Sequence, residues 1–169
     1  REVQGESERL AGYLQEVCGV KKGDRVGIYM QNSPQFVIAY YAILRANAAV
    51  VPVNPMNLTN ELRYMTEDSG CKVLFASQEL AQNALPLIKG KPLEHVIIST
   101  YADYVKNATE LVIPEFVRAA RQSFSEQAQQ GVVAWADALA RDAKPGELTT
   151  GPEDLCVIPY TSGTTGNPK

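Results

Sequence analysis

The sequence predicts an α/β fold: a mostly parallel sheet flanked by helices. Two observations carry that expectation. Short apolar runs of strand length alternate with longer segments of helical periodicity, and the longer segments end at residues such as Gly19 and Gly70, where a left-handed cap is wanted. The spacing between successive apolar runs also leaves room for a helix, so neighbouring strands are joined by crossovers of the βαβ kind and run parallel.

The first helix is expected from Ser7 to Cys18, with Leu10, Leu14 and Val17 on one stripe and Gly19 closing it. Val26 to Met30 follows as a strand. Ser33 and Pro34 then mark a helix start, a hydroxyl that can cap and a proline whose missing amide costs nothing there. The helix from Gln35 to Ala46 carries Phe36, Val37, Ile38, Tyr40, Tyr41, Ile43 and Leu44, apolar nearly all round, which predicts burial on more than one side. The aromatic set Phe36, Tyr40 and Tyr41 reads as core.

Ala49 to Val53 is a short strand leading into the rigid Asn54-Pro55 turn. Thr59 is expected to cap a third helix whose inner stripe is Leu58, Leu62 and Met65, with Glu61 suited to its positive end and Gly70 closing it. Val73 to Ala76 is a buried strand, Gln78 to Lys89 a helix, and Val96 to Ile98 another strand with His95 at its edge. Further on, Glu110 to Glu126 is predicted helical with Pro114 starting or interrupting it, and Val132, Trp135, Ala136 and Leu139 share one face of a short helix. Ala143 to Glu153 is a linker rich in proline, glycine and threonine. It returns the chain to Leu155-Cys156-Val157-Ile158, an apolar run that reads as a buried strand in which Cys156 is a small hydrophobe.

That run delivers the most distinctive string of the chain, Tyr160-Thr161-Ser162-Gly163-Thr164-Thr165-Gly166-Asn167-Pro168-Lys169. Gly163 and Gly166 free the main chain to turn and present N–H groups, the hydroxyls of Thr161, Ser162, Thr164 and Thr165 can donate, and Lys169 adds a compact cation. Such a segment suits phosphate oxygens. It is not a Walker loop, because Pro168 stands before the lysine where that turn needs glycine and a free amide. Thr164 and Thr165 are the first candidates for direct phosphate donors, with Ser162 next; Tyr160 reads as a packing residue.

Tyr160 to Lys169 resembles the phosphate-binding signature of the AMP-forming acyl-CoA synthetases and their relatives, the adenylation domains and firefly luciferase. Val20 to Val26, Asn32-Ser33-Pro34 and Val51-Pro52-Val53-Asn54-Pro55 are similar to that family's opening segments, in the same order. The resemblance covers most of residues 7–77 and 152–169, and within the family it is greatest to the bacterial long-chain fatty acid–CoA ligases. Asn47 stands where relatives commonly have glycine, and asparagine tolerates the positive φ such a turn needs. The resemblance implies that residues 1–169 are an incomplete amino-terminal AMP-binding domain, with a βαβ core at about 7–99, variable helices and linker at 100–151, and strand plus phosphate loop at 152–169. It implies a parent enzyme that uses ATP with Mg²⁺ to convert a carboxylic acid, most simply a fatty acid, to an acyl-adenylate and passes the acyl group to coenzyme A. Thr161, Ser162, Gly163, Thr164, Thr165, Gly166 and Lys169 would then bind the nucleotide. No catalytic or metal-binding residue is expected within the chain, because the family's adenine- and ribose-binding residues, metal-binding glutamate and carboxy-terminal lysine all lie beyond Lys169. Residues 1–169 alone are expected to be inactive.

Composition bounds the alternatives. A chain of 169 residues with 45% apolar and 21% charged residues can bury one core. A net charge of −3 provides no basic field for nucleic acid. No apolar run is long enough to span a bilayer, which leaves peripheral membrane contact open for the parent. Three widely spaced cysteines, Cys18, Cys71 and Cys156, favour a reducing cytoplasm, and a single histidine, His95, gives a Ser-His-Asp triad little to build on. Adenylation of an aryl or amino acid, a kinase or NTPase with an atypical loop, and a non-catalytic α/β interaction module remain open readings.

Overall fold

The computed structural model describes residues 1–88, 92–106, 110–122 and 130–161. Five strands form one parallel sheet in the order β2-β1-β3-β4-β5: β1 (Arg25–Tyr29), β2 (Ala49–Val53), β3 (Val73–Ser77), β4 (His95–Ser99) and β5 (Val132–Ala134). The register pairs Val26 with Val50 on one side of β1 and with Val73 on the other. Helices cover both faces. Helices α1 (Glu2–Glu16), α2 (Pro34–Arg45) and α6 (Trp135–Ala140) share one core with Ile28, Phe75 and Ile97, while α3 (Thr59–Ser69) and α4 (Ala81–Ala84) share the other with Tyr29, Leu74 and Ile98. Alternate residues of each strand therefore feed opposite cores, which explains why the strands read as continuous apolar runs.

The helix ends follow the predicted chemistry in most places. Ser33 Oγ accepts from the Phe36 N–H at 3.2 Å. Gly19 and Gly70 hold φ of 64° and 66°, and Asn47 takes 63° in the turn before β2. The Asn54 side chain accepts from the Met56 N–H at 2.9 Å, closing the rigid turn after β2. At α3 the cap differs from expectation. Thr59 is the first helical residue; Glu61 instead reaches back to the Leu58 N–H at 2.7 Å, and the Thr59 hydroxyl bonds Asn83.

Several stripes are narrower than periodicity suggested. Leu10 and Leu14 are fully buried, but Val17 is 45% exposed because α1 stops at Glu16 and Cys18 and Val20 turn inward in its place. Leu58, outside α3, is exposed, leaving Leu62 and Met65 as the inner stripe. On α2, Ile38, Ala39, Ala42 and Ile43 are buried against sheet and α1, whereas Val37 and Tyr41 are exposed, so Tyr41 is not core.

Of the helix expected over 78–89, the described residues form two 3-10 turns, Gln78–Leu80 and Leu85–Leu87, around the four residues of α4. Pro86 has no amide to continue the α-ladder. The helix expected over 110–126 is reduced, among the described residues, to α5 (Glu115–Arg118), which starts directly after Pro114. Gln78 accounts for its early end: its Nε2 donates to the Ala120 C=O at 2.9 Å and its Oε1 accepts from the Gln122 N–H at 2.8 Å, capturing backbone that a helix would use internally. Val132 belongs to β5, not to a helix; two β-branched residues there pair with β4, and α6 begins only at Trp135. Trp135 and Ala138 are its buried residues, with Trp135 edge-on to Phe75 at 5.6 Å.

Candidate functional site

The candidate site is built by what happens beside β2. Val157 forms a single parallel bridge with Val50: the Val50 N–H donates to the Cys156 C=O at 2.9 Å, and the Ile158 N–H donates to the Val50 C=O at 2.8 Å. Among the described residues the run Leu155–Ile158 is thus an edge segment and not the buried strand its composition predicts. Leu155 is 71% exposed and Cys156 is exposed, while Val157 and Ile158 are half-buried. An outermost segment has a neighbour on one side only, and its apolar residues need not be enclosed.

Tyr160 packs against the core shared by α3 and α4, and its hydroxyl donates to Asp68 Oδ2 at 2.6 Å. Burial, followed by the Asp68 carboxylate that the hydroxyl serves, pushes the phenol well above its ordinary range. The packing role expected of Tyr160 is observed. Thr161, next in sequence, is exposed. Ser162, Gly163, Thr164, Thr165, Gly166 and Lys169 lie outside the described residues.

The approach to this segment is held by polar contacts that sequence patterning did not reveal. Lys22 pairs with Asp154 at 2.9 Å and donates to the Thr149 C=O at 2.9 Å. The Asp154 carboxyl is held below the ordinary carboxylate range by the Gly151 N–H and then by Lys22. Asn47 bonds the backbone of Glu147, Thr149 and Thr150. The signal for Asn47 was the positive-φ turn, but nothing in the sequence indicated which distant backbone its amide would meet.

A separate cavity of about 330 Å³ opens beyond the ends of β1 and β4, lined by Ser33, Pro34, Tyr101, Tyr104 and Phe116 among others. Among the described residues no charged side chain lines it, which is the wrong chemistry for a triphosphate. Among the described residues no three His, Cys, Asp or Glu side chains gather in a metal-binding group. No helix among them is long and apolar enough to cross a membrane.

A parallel sheet whose strand order reverses at β1, with helices on both faces, defines a doubly wound α/β protein. The chain belongs to the AMP-binding enzyme family, which it matches over residues 1–169. It is 32% identical to a long-chain-fatty-acid–CoA ligase of Escherichia coli, over 98% of this chain and 30% of that protein. It is 31% identical to a 3-hydroxybenzoate–CoA ligase of Aromatoleum, over 98% of this chain and 28% of that one. Among solved structures, a long-chain-fatty-acid–CoA ligase from Archaeoglobus fulgidus superposes with a TM-score of 0.70 at 26% identity, covering 99% of this chain and 28% of its own. The chain thus spans about 30% of the length of the curated relatives it matches.

Proposed function

We propose that the chain is the amino-terminal part of a cytoplasmic acid–thiol ligase that activates a fatty acid with ATP and passes the acyl group to coenzyme A. The observation that carries this reading is the family match over the whole chain, joined to 32% identity with the Escherichia coli fatty-acid ligase. The parallel bridge at Val157 supports it. A segment entering beside β2 in that direction heads for the carboxyl edge of the sheet, where doubly wound folds take their ligands.

In this reading the acid's carboxylate, already ionised at neutral pH, attacks the α-phosphorus of ATP, the bond to the β-phosphate oxygen breaks, and pyrophosphate leaves. No base is needed for that step. Thr161, Ser162, Thr164, Thr165 and Lys169, with the turns at Gly163 and Gly166, hold the β- and γ-phosphates and stabilise the charge that grows on the leaving group. Mg²⁺ would neutralise part of the same charge, but the described residues supply no ligand set for it. Tyr160, anchored on Asp68, fixes the start of the string. Coenzyme A then takes the acyl group from the adenylate, releasing AMP.

A second reading, activation of an aryl acid, is favoured by the 31% identity to the 3-hydroxybenzoate–CoA ligase. Product analysis on a polypeptide of the relatives' length, incubated with ATP, coenzyme A and palmitate or 3-hydroxybenzoate in turn, separates the readings. AMP and pyrophosphate formed with palmitate support the fatty-acid reading, and formation only with the hydroxybenzoate moves it to the aryl class. Release of ADP would exclude both.

A further inference from the structure

Residues 143–155 cross from α6 to the bridge at Val157 with no helix or strand of their own, yet they are tied down at several points. Gln15 Oε1 accepts from the Gly146 N–H and Arg45 Nη1 donates to the Gly146 C=O, both at 2.8 Å. Lys22 reaches Thr149 and Asp154 from an exposed position. Asn47 differs from these long side chains. It is 6% exposed, its backbone is fixed at φ 63°, and one short amide meets three backbone groups. Its Nδ2 donates to the Glu147 C=O at 2.9 Å, and its Oδ1 accepts from the N–H groups of Thr149 at 2.7 Å and Thr150 at 3.1 Å. Three residues further on, Val50 exchanges backbone hydrogen bonds with Cys156 and Ile158. One short stretch of chain therefore grips the incoming segment twice, at 147–150 and again at 156–158.

We propose that Asn47 is a positioning residue: its side-chain amide sets where the segment meets the edge of β2, and so where Tyr160 and Thr161, the start of the string, are held. This rests on the reading that the string handles the triphosphate. Asn47 touches no reacting atom; it acts through the backbone of Thr149 and Thr150.

Two variants test it. Asn47→Gly keeps the positive φ of the turn and deletes the amide. Asn47→Asp keeps an oxygen to accept from Thr149 and Thr150. Amide hydrogen exchange on residues 1–169 should show Thr149, Thr150 and Ile158 exchanging roughly tenfold faster in Asn47→Gly, with β1 and β3 unchanged and Asn47→Asp intermediate. In a polypeptide of the relatives' length, Asn47→Gly should lower kcat for ATP–pyrophosphate exchange roughly two- to tenfold with little change in KM for the acid, and Asn47→Asp should recover part of it. Wild-type exchange activity with an unaltered kcat in Asn47→Gly would overturn the positioning role. So would equal acceleration of amides throughout the sheet. Absence of exchange in the wild type would instead defeat the proposed function, and the positioning role with it, while the local amide rates would still decide whether the clamp exists.

Discussion

Two glycines of the same helix, Gly5 and Gly12, should respond to alanine with opposite signs. Nothing lies within 4 Å of a Cβ built on Gly5. Replacing it removes a helix-interior glycine at no steric cost, a gain of about 0.5–1 kcal/mol. A Cβ on Gly12 would stand 2.4 Å from Ala143 C, 2.5 Å from Ala143 O and 2.6 Å from Lys144 N. Those are backbone atoms and would have to retreat by about 1 Å to reach ordinary contact. They are not free to do so, because Gly146 nearby is held by Gln15 and Arg45. Overpacking costs about 1–3 kcal/mol, and a weakened hydrogen bond about 1 more, against a helix gain of about 1. The net for Gly12→Ala is a loss of about 1–3 kcal/mol. Urea unfolding followed by the emission of Trp135, the chain's one tryptophan, measures both variants. If Gly12→Ala raised the midpoint as Gly5→Ala does, residues 143–144 would not be held against α1, and the clamp at 143–155 would lose its base.

Other outcomes are specific to single groups. Ellman's reagent should label one of the three thiols quickly in the native protein, Cys156, and the other two only on unfolding, because Cys18 and Cys71 are buried and their thiols are pushed up to about 12 by that burial. No fast-reacting thiol would return the 155–158 run to the sheet interior. Asp24 feels burial, which raises its carboxyl, but the Lys21 N–H at 2.9 Å and the Lys72 ammonium at 3.0 Å outweigh it and hold the group below the ordinary carboxylate range. A depressed folded value means the contribution is present above the unfolded pKa of about 3.9 and is lost as pH falls through the folded value. Asp24→Asn should therefore cost about 0.5–1 kcal/mol at pH 7, the range for a partly exposed pair, and the difference in urea midpoint should vanish in acid.

Strands β1 to β4 were legible because they are buried on both faces and carry continuous apolar runs; β5, half-buried and three residues long, was read as part of a helix. Ala49–Val53 was read to the residue, and the Ser33 cap and the turns at Gly19 and Gly70 were visible as local chemistry. What misled was burial without periodicity. Leu155 to Ile158 has the composition of an inner strand, but composition cannot say whether a strand has one neighbour or two. The 110–122 region carried a helical pattern that Gln78 overrides from a distant element. Thr59 had cap chemistry, yet Glu61 made the contact. The ties from Lys22, Arg45 and Asn47 to the linker are long-range pairings of side chain with backbone, which no local pattern encodes. The phosphate role proposed for Tyr160–Lys169, by contrast, comes from residue order alone, since the string past Thr161 lies outside the described residues.

The central claim, that this string stabilises the departing diphosphate, is tested most directly by removing its cation. In a polypeptide of the relatives' length, Lys169→Ala should slow acid-dependent ATP–pyrophosphate exchange by the factor that about 2–4 kcal/mol represents, roughly thirty- to a thousandfold, while the fold, followed by far-UV circular dichroism, stays intact. An exchange rate equal to the wild type's would contradict the account.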